Sequence, residues 1–103
     1  MSATVDHERL RDVLDRLVLE RAIPPEWMAE ALRLVDADSV MVNAYLRGCL
    51  CRAACRFVDI SWERDLWVAR QDAVGGEALG SGSTYTEATL TALEAVATKL
   101  EVR

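Results

Sequence analysis

The stretch that most limits the possible folds is Ser39–Ile60, SVMVNAYLRGCLCRAACRFVDI, the most apolar segment of the chain. At helical spacing its polar residues do not hold one side. Ser39, Asn43 and Arg47 fall four apart, and Arg52, Arg56 and Asp59 form a second line about half a turn away. A surface helix keeps one wet stripe, so the segment reads as a central element. It is covered by different neighbours before and after Gly48, or it kinks or ends at that glycine. Val40, Val42, Ala44 and Leu46 also alternate with Met41, Asn43, Tyr45 and Arg47, which leaves a short strand over 40–47 as a rival reading. The apolar pattern continues through Leu50, Ala53, Ala54 and Phe57, and that length favours a helix.

The flanking segments have simpler periods. Residues 5–22 predict an amphipathic helix with Leu10, Val13, Leu14, Leu17 and Val18 inward, capped by Thr4 or Asp6. Pro24-Pro25 ends it, and Pro25 suits the first position of a second helix whose stripe is Trp27, Met28, Ala31, Leu32 and Val35. The two helices form a hairpin, followed by a turn over 36–39 in which Asp38 or Ser39 caps the central helix.

From Phe57 the period changes to two. The runs Phe57–Trp62, Leu66–Asp72 and Glu77–Ser81 are separated by Glu63-Arg64-Asp65 and Val74-Gly75-Gly76, the spacing of an antiparallel meander. Thr84 and Glu87 fit a capping box that opens a final helix to about Leu100, with Ala88, Ala92, Leu93, Ala95, Val96 and Leu100 inward. The predicted architecture is α+β: a helical hairpin and central helix, a three-stranded antiparallel meander and a C-terminal helix.

A chain of 103 residues has room for one domain that buries ~65% of its unfolded surface, enough for a core without staples. The formal net charge is −5, and binding phosphates needs clustered cations, so direct nucleic-acid contact is not expected. Residues 1–38 hold nine acidic against five basic side chains, net −4, whereas 39–72 hold four against five, net +1. The negative field therefore belongs to the helical hairpin. No apolar targeting segment is visible in MSATVDHERLRD, so a cytosolic protein without membrane contact is expected.

The segment Gly80–Leu100, GSGSTYTEATLTALEAVATKL, resembles the last strand and helix of a double-stranded-RNA-binding domain, where a Gly-x-Gly strand end leads into a capped, alanine-rich helix. That family opens the helix with lysines that grip phosphates. The matching positions here are Tyr85, Thr86 and Thr89, with Glu87 among them, so the resemblance implies a fold and not RNA binding. In size, charge and plain α/β/α layout the chain is also similar to small phage and mobile-element proteins of the anti-CRISPR type, which inhibit bacterial defence complexes.

No residue set points to a reaction. Cys49-x-Cys51-x-x-x-Cys55 has no fourth ligand beside it, and on a helix Cys49 points away from the other two. His7, the one histidine, lies in a first helical turn. Gly75, Gly76, Gly80 and Gly82 lack the Gly-Lys-Ser/Thr of a phosphate loop. The pairs Asp12/Asp15, Asp36/Asp38 and Glu63/Asp65 fall on predicted surfaces or turns, where carboxylates stay ionised. No catalytic, cofactor-binding or metal residue is assigned.

The expectation is a small acidic, non-enzymatic binding protein that occupies a basic surface of a larger protein. Asp12, Asp15, Glu26 and Glu30 of the hairpin are its candidate contacts, and Trp62 and Trp67, beside the Glu63–Asp65 turn, are read as core or as interface anchors. Two alternatives stand beside it: a homo-oligomeric assembly protein paired through the Trp62/Trp67 end or a meander edge, in the simplest case as a homodimer, and a degenerate RNA-binding module.

Overall fold

The computed structural model describes residues 6–37, 39–72 and 75–102; the expected caps Thr4 and Asp38, and Val74 of the second turn, lie outside them. The elements are α1 (His7–Leu19), α2 (Pro25–Ala37), α3 (Ser39–Ala54), β1 (Val58–Glu63), β2 (Leu66–Gln71), β3 (Ala78–Gly82) and α4 (Tyr85–Glu101). The strands form one antiparallel sheet in the order β1-β2-β3, so the α+β meander and its helices are as predicted.

Helix α1 begins at Asp6, whose carboxylate accepts the Arg9 N–H at 3.1 Å. It buries Leu10, Val13, Leu14 and Leu17, each stabilising the fold by about 2 kcal/mol. The helix stops at Leu19, short of the predicted 22, because Arg21 takes a left-handed conformation (φ 58). Arg21 N–H then bonds Val18 O, and Ala22 N–H bonds Leu17 O, the paired bonds of a Schellman turn. Pro25 opens α2 as its first residue, and Ala31 and Leu34 are its buried positions. Trp27, Met28, Leu32 and Val35 are half-buried around them.

Helix α3 runs unbroken through Gly48 to Ala54, which settles the 40–47 ambiguity for helix and corrects the expectation of a break or a switched face. Its buried residues Val42, Leu46, Cys49, Leu50 and Ala53 make one continuous stripe. Asn43 and Arg47 misled the reading because their polar groups are used internally. Asn43 Oδ1 accepts the Thr86 hydroxyl hydrogen bond, and Arg47 Nε donates to Val58 O at 3.0 Å. The helix ends like α1: Cys55 is left-handed (φ 56), with Cys55 N–H to Arg52 O and Arg56 N–H to Cys51 O.

The hub of the fold is α4 and not α3, since α4 packs on α1, α3 and all three strands. It buries Ala88, Thr89, Leu90, Ala92, Leu93, Val96 and Ala97. Short side chains let it approach the sheet closely. A Cβ added at Gly80 of β3 would lie 2.5 Å from the Ala92 main-chain nitrogen, and one at Gly82 would collide with the Glu87 side chain. Thr84 caps the helix by accepting Glu87 N–H at 3.0 Å, but the Glu87 carboxylate does not close the capping box. It bonds Arg9 Nη1 of α1 at 2.8 Å instead.

Arg9 also forms a two-pronged pair with Glu94 (2.9 and 2.6 Å) and reaches Thr91. Two turns further along both helices, Arg16 repeats the arrangement on Glu101 (2.8 and 2.7 Å) and Thr98. These clamps fix α1 against α4 and so hold the helical hairpin in place.

Candidate functional site

The acidic hairpin does not present its carboxylates as one field. Asp12 and Asp15, both exposed on α1, line a shallow depression of about 440 Å³ with Glu8, Arg11 and Met28 of α2. Three carboxylates there face a single guanidinium, around the apolar flank of Met28. Glu26 and Glu30 do not line it. Glu26 is exposed in the first turn of α2, and Glu30 is paired with Arg33. The structure therefore brings together half of the four acidic residues predicted to act as a set. At ~4 Å in water each carboxylate attracts a cation by about 1 kcal/mol. A lysine or arginine whose aliphatic stem lies along Met28 fits the depression.

Trp62 and Trp67 differ in burial: Trp67 packs against the core and Trp62 is exposed. They form a cross-strand pair in register and meet edge to face at 5.6 Å and 66°. Trp67 is half-buried against the core and meets Tyr85 of α4 in the same manner at 5.5 Å; desolvation in this contact is the main cause that raises the Tyr85 phenol pKa. Trp62 is 55% exposed, and Leu66 across the turn is 45% exposed. The row Trp62–Trp67–Tyr85 thus runs from solvent to core, with Trp62 as its free end.

That end is set by an unusual turn. Arg64 and Asp65 are both left-handed (φ 48 and 71), the pattern of a type I′ hairpin, which favours asparagine and glycine. Glu63 beside the turn is bound in a two-pronged pair by Arg70 (2.9 Å for each bond). Arg70 hydrogen bonding holds the Glu63 carboxyl below its ordinary range.

The cysteines occupy three different environments. Cys49 is buried, Cys51 half-buried and Cys55 exposed. Burial pushes the Cys49 thiol up to about 12, so it stays protonated. Cys51 Sγ accepts the Val58 N–H at 3.3 Å. Among the described residues no three His, Cys, Asp or Glu side chains converge as a metal site, and His7 pairs with Asp36 at 3.3 Å on the surface. No described helix is long and apolar enough to cross a membrane.

The positions that match the phosphate-gripping lysines of the RNA-binding family point inward: Tyr85 meets Trp67 edge to face, Thr86 bonds Asn43, and Thr89 is fully buried with its hydroxyl on Tyr85 O. Sequence reading placed Met28 and Arg47 in apolar or surface stripes and missed their tertiary roles. Helical periodicity gives a residue's face but not what the face meets. Comparison with known proteins gives no match: no family model fits the chain, and no curated protein or solved structure is significantly similar to it.

Proposed function

We propose that this protein is a small non-enzymatic binding protein, an inhibitor of the anti-defence kind, that occupies a basic nucleic-acid-binding surface of a larger cytoplasmic protein. The observation that carries the reading is the depression between α1 and α2, where Glu8, Asp12 and Asp15 surround Met28 against Arg11 alone. The net charge of −5 adds long-range attraction to the same class of partner, which speeds encounter and makes it salt-dependent. A second reading, a homo-oligomeric assembly protein, draws on exposed Trp62 and Leu66 at the hairpin end.

Capture of the partner from a bacterial lysate, followed by stopped-flow association at low salt, tests the proposal. Reversing Asp12 and Asp15 to lysine is expected to slow association about tenfold or more and to flatten its salt dependence. The fold should survive, because exposed charges each contribute well under ~1 kcal/mol. Reversing Glu26 and Glu30 should slow it less. Association by the Asp12/Asp15 variant at the wild-type rate would overturn the reading, as would a captured partner that binds through an acidic surface.

A further inference from the structure

The main-chain polarity of β1 follows from its pairing. Asp72 donates its N–H to Phe57 O at 2.7 Å, and the register runs from Val58↔Gln71 to Glu63↔Leu66 without a shift. In an antiparallel ladder successive residues turn their N–H and C=O alternately toward the partner strand and away from it. Phe57, Asp59, Ser61 and Glu63 therefore face β2, while Val58, Ile60 and Trp62 face outward from an edge strand. At Val58 the outward groups are taken: its N–H goes to Cys51 Sγ at 3.3 Å, and its carbonyl accepts Arg47 Nε at 3.0 Å. Among the described residues nothing bonds the outward groups of Ile60 and Trp62.

We infer that the open edge at Ile60–Trp62 is a β-augmentation site for an extended peptide that alternates apolar and basic residues. This surface is separate from the acidic depression, and it stands whether or not that depression docks a partner. The edge supplies two N–H donors and two carbonyl acceptors in strand spacing. On the inner face of the sheet, Trp62 and the Trp67–Tyr85 row behind it offer an aromatic platform to the apolar side chains of an added strand. On the outer face, Asp59 and Glu63 flank Ser61 along β1. Asp59 is exposed and pairs with no cation among the described residues.

The Asp59 carboxylate selects a cation at the facing position of the incoming strand, while Glu63 is already held by Arg70. The edge also disfavours a second copy. Antiparallel self-pairing centred on Ser61 sets Asp59 opposite the second copy's Glu63, twice by symmetry, and like charges directly opposed are destabilising. Self-pairing centred on Ile60 requires the Val58 groups that Arg47 and Cys51 already hold. The α3 contact at Val58 closes one end of the site, and the type I′ turn closes the other.

The test uses a capped peptide of alternating Val and Lys, with hydrogen exchange of the intact protein followed residue by residue. At about ten times its Kd, this peptide is expected to slow exchange at the Ile60 and Trp62 amides about tenfold. Ser61 N–H, already bonded to β2, serves as the internal reference and should not change. N-methylation of the peptide groups that face the edge should abolish the effect, and N-methylation of the alternate groups should not. A peptide of alternating Val and Glu should bind about three- to tenfold more weakly, and Asp59→Lys should narrow that gap. Four results would overturn the inference: no protection at saturating Val-Lys peptide, equal binding of the edge-methylated peptide, equal binding of the Val-Glu peptide, or Ile60 and Trp62 amides already protected in the free protein, which marks an edge covered by a second copy.

Discussion

The two edge strands of the sheet are built in opposite ways. β3 lies under α4 so closely that Gly80 and Gly82 leave no room for a side chain, and its register with β2 shifts between Ala69 and Arg70. β1 pairs with β2 without a shift, carries Trp62 at its free end, and meets α3 side chains at Val58. Both strands are short and belong to one meander. The difference teaches that β3 is committed through its face to holding α4 on the sheet, whereas β1 beyond Val58 carries a Trp62 ring that packs on Trp67 and is still more than half exposed. Exposure alone would not separate them, because Ala78 and Ser81 of β3 are also exposed.

The contrast is most easily broken at Gly80. Valine there drives a branched side chain into the Ala92 backbone, which cannot move without moving the hub helix. A loss of about 3 kcal/mol or more is expected in urea unfolding, while valine at exposed Ser81, one residue on, should stay within ~0.5 kcal/mol. Equal effects at the two positions would mean that α4 does not bear on β3 as closely as described.

The aromatic row gives a graded test at the other edge. Trp67→Ala removes a half-buried ring between Trp62 and Tyr85 and should cost about 2 to 3 kcal/mol. Trp62→Ala loses mainly the edge-to-face contact and should cost about 1 kcal/mol. Chemical denaturation of the two variants distinguishes them, and a Trp62 variant as unstable as the Trp67 one would make Trp62 part of the core.

The smallest effect is in acid. Glu63 has a lowered carboxyl pKa in the folded state, first through its hydrogen bonds from Arg70. The sign follows: this contribution is fully present above the unfolded glutamate pKa and is lost as pH falls through the folded value. Thermal scans should therefore show Tm declining as pH drops below the ordinary glutamate range. Glu63→Gln should flatten part of that decline, with Glu101, lowered by Arg16, supplying another part. An unchanged acid profile in the variant would show that the Arg70 pair adds nothing to the hairpin end.

The elements were legible wherever one period dominated. Leu10, Val13, Leu14 and Leu17 recur at helical spacing and are all fully buried; Pro25 and the cap at Thr84 mark helix starts that the structure keeps, whereas α1 ends at Leu19, three residues before the predicted 22. The candidate site was legible only as composition. An acidic hairpin could be read from its charges, but Asp12 and Asp15 share a depression with Met28 because α1 and α2 pack side by side, and Glu30 leaves the set because Arg33 lies one turn away.

What the sequence by itself determined is the order and type of the elements, since periods of 3.6 and 2, proline, glycine and capping residues act within a few positions along the chain. The tertiary structure alone decided which helix is the hub, what Asn43 and Arg47 do inside an otherwise apolar seam, and which end of the β1 edge α3 covers. Those outcomes depend on groups distant in sequence meeting at a few ångströms: Thr86 with Asn43, Arg47 and Cys51 with Val58, Gly80 with Ala92. A local pattern shows which side of an element is apolar, but it carries no information about which element will cover that side.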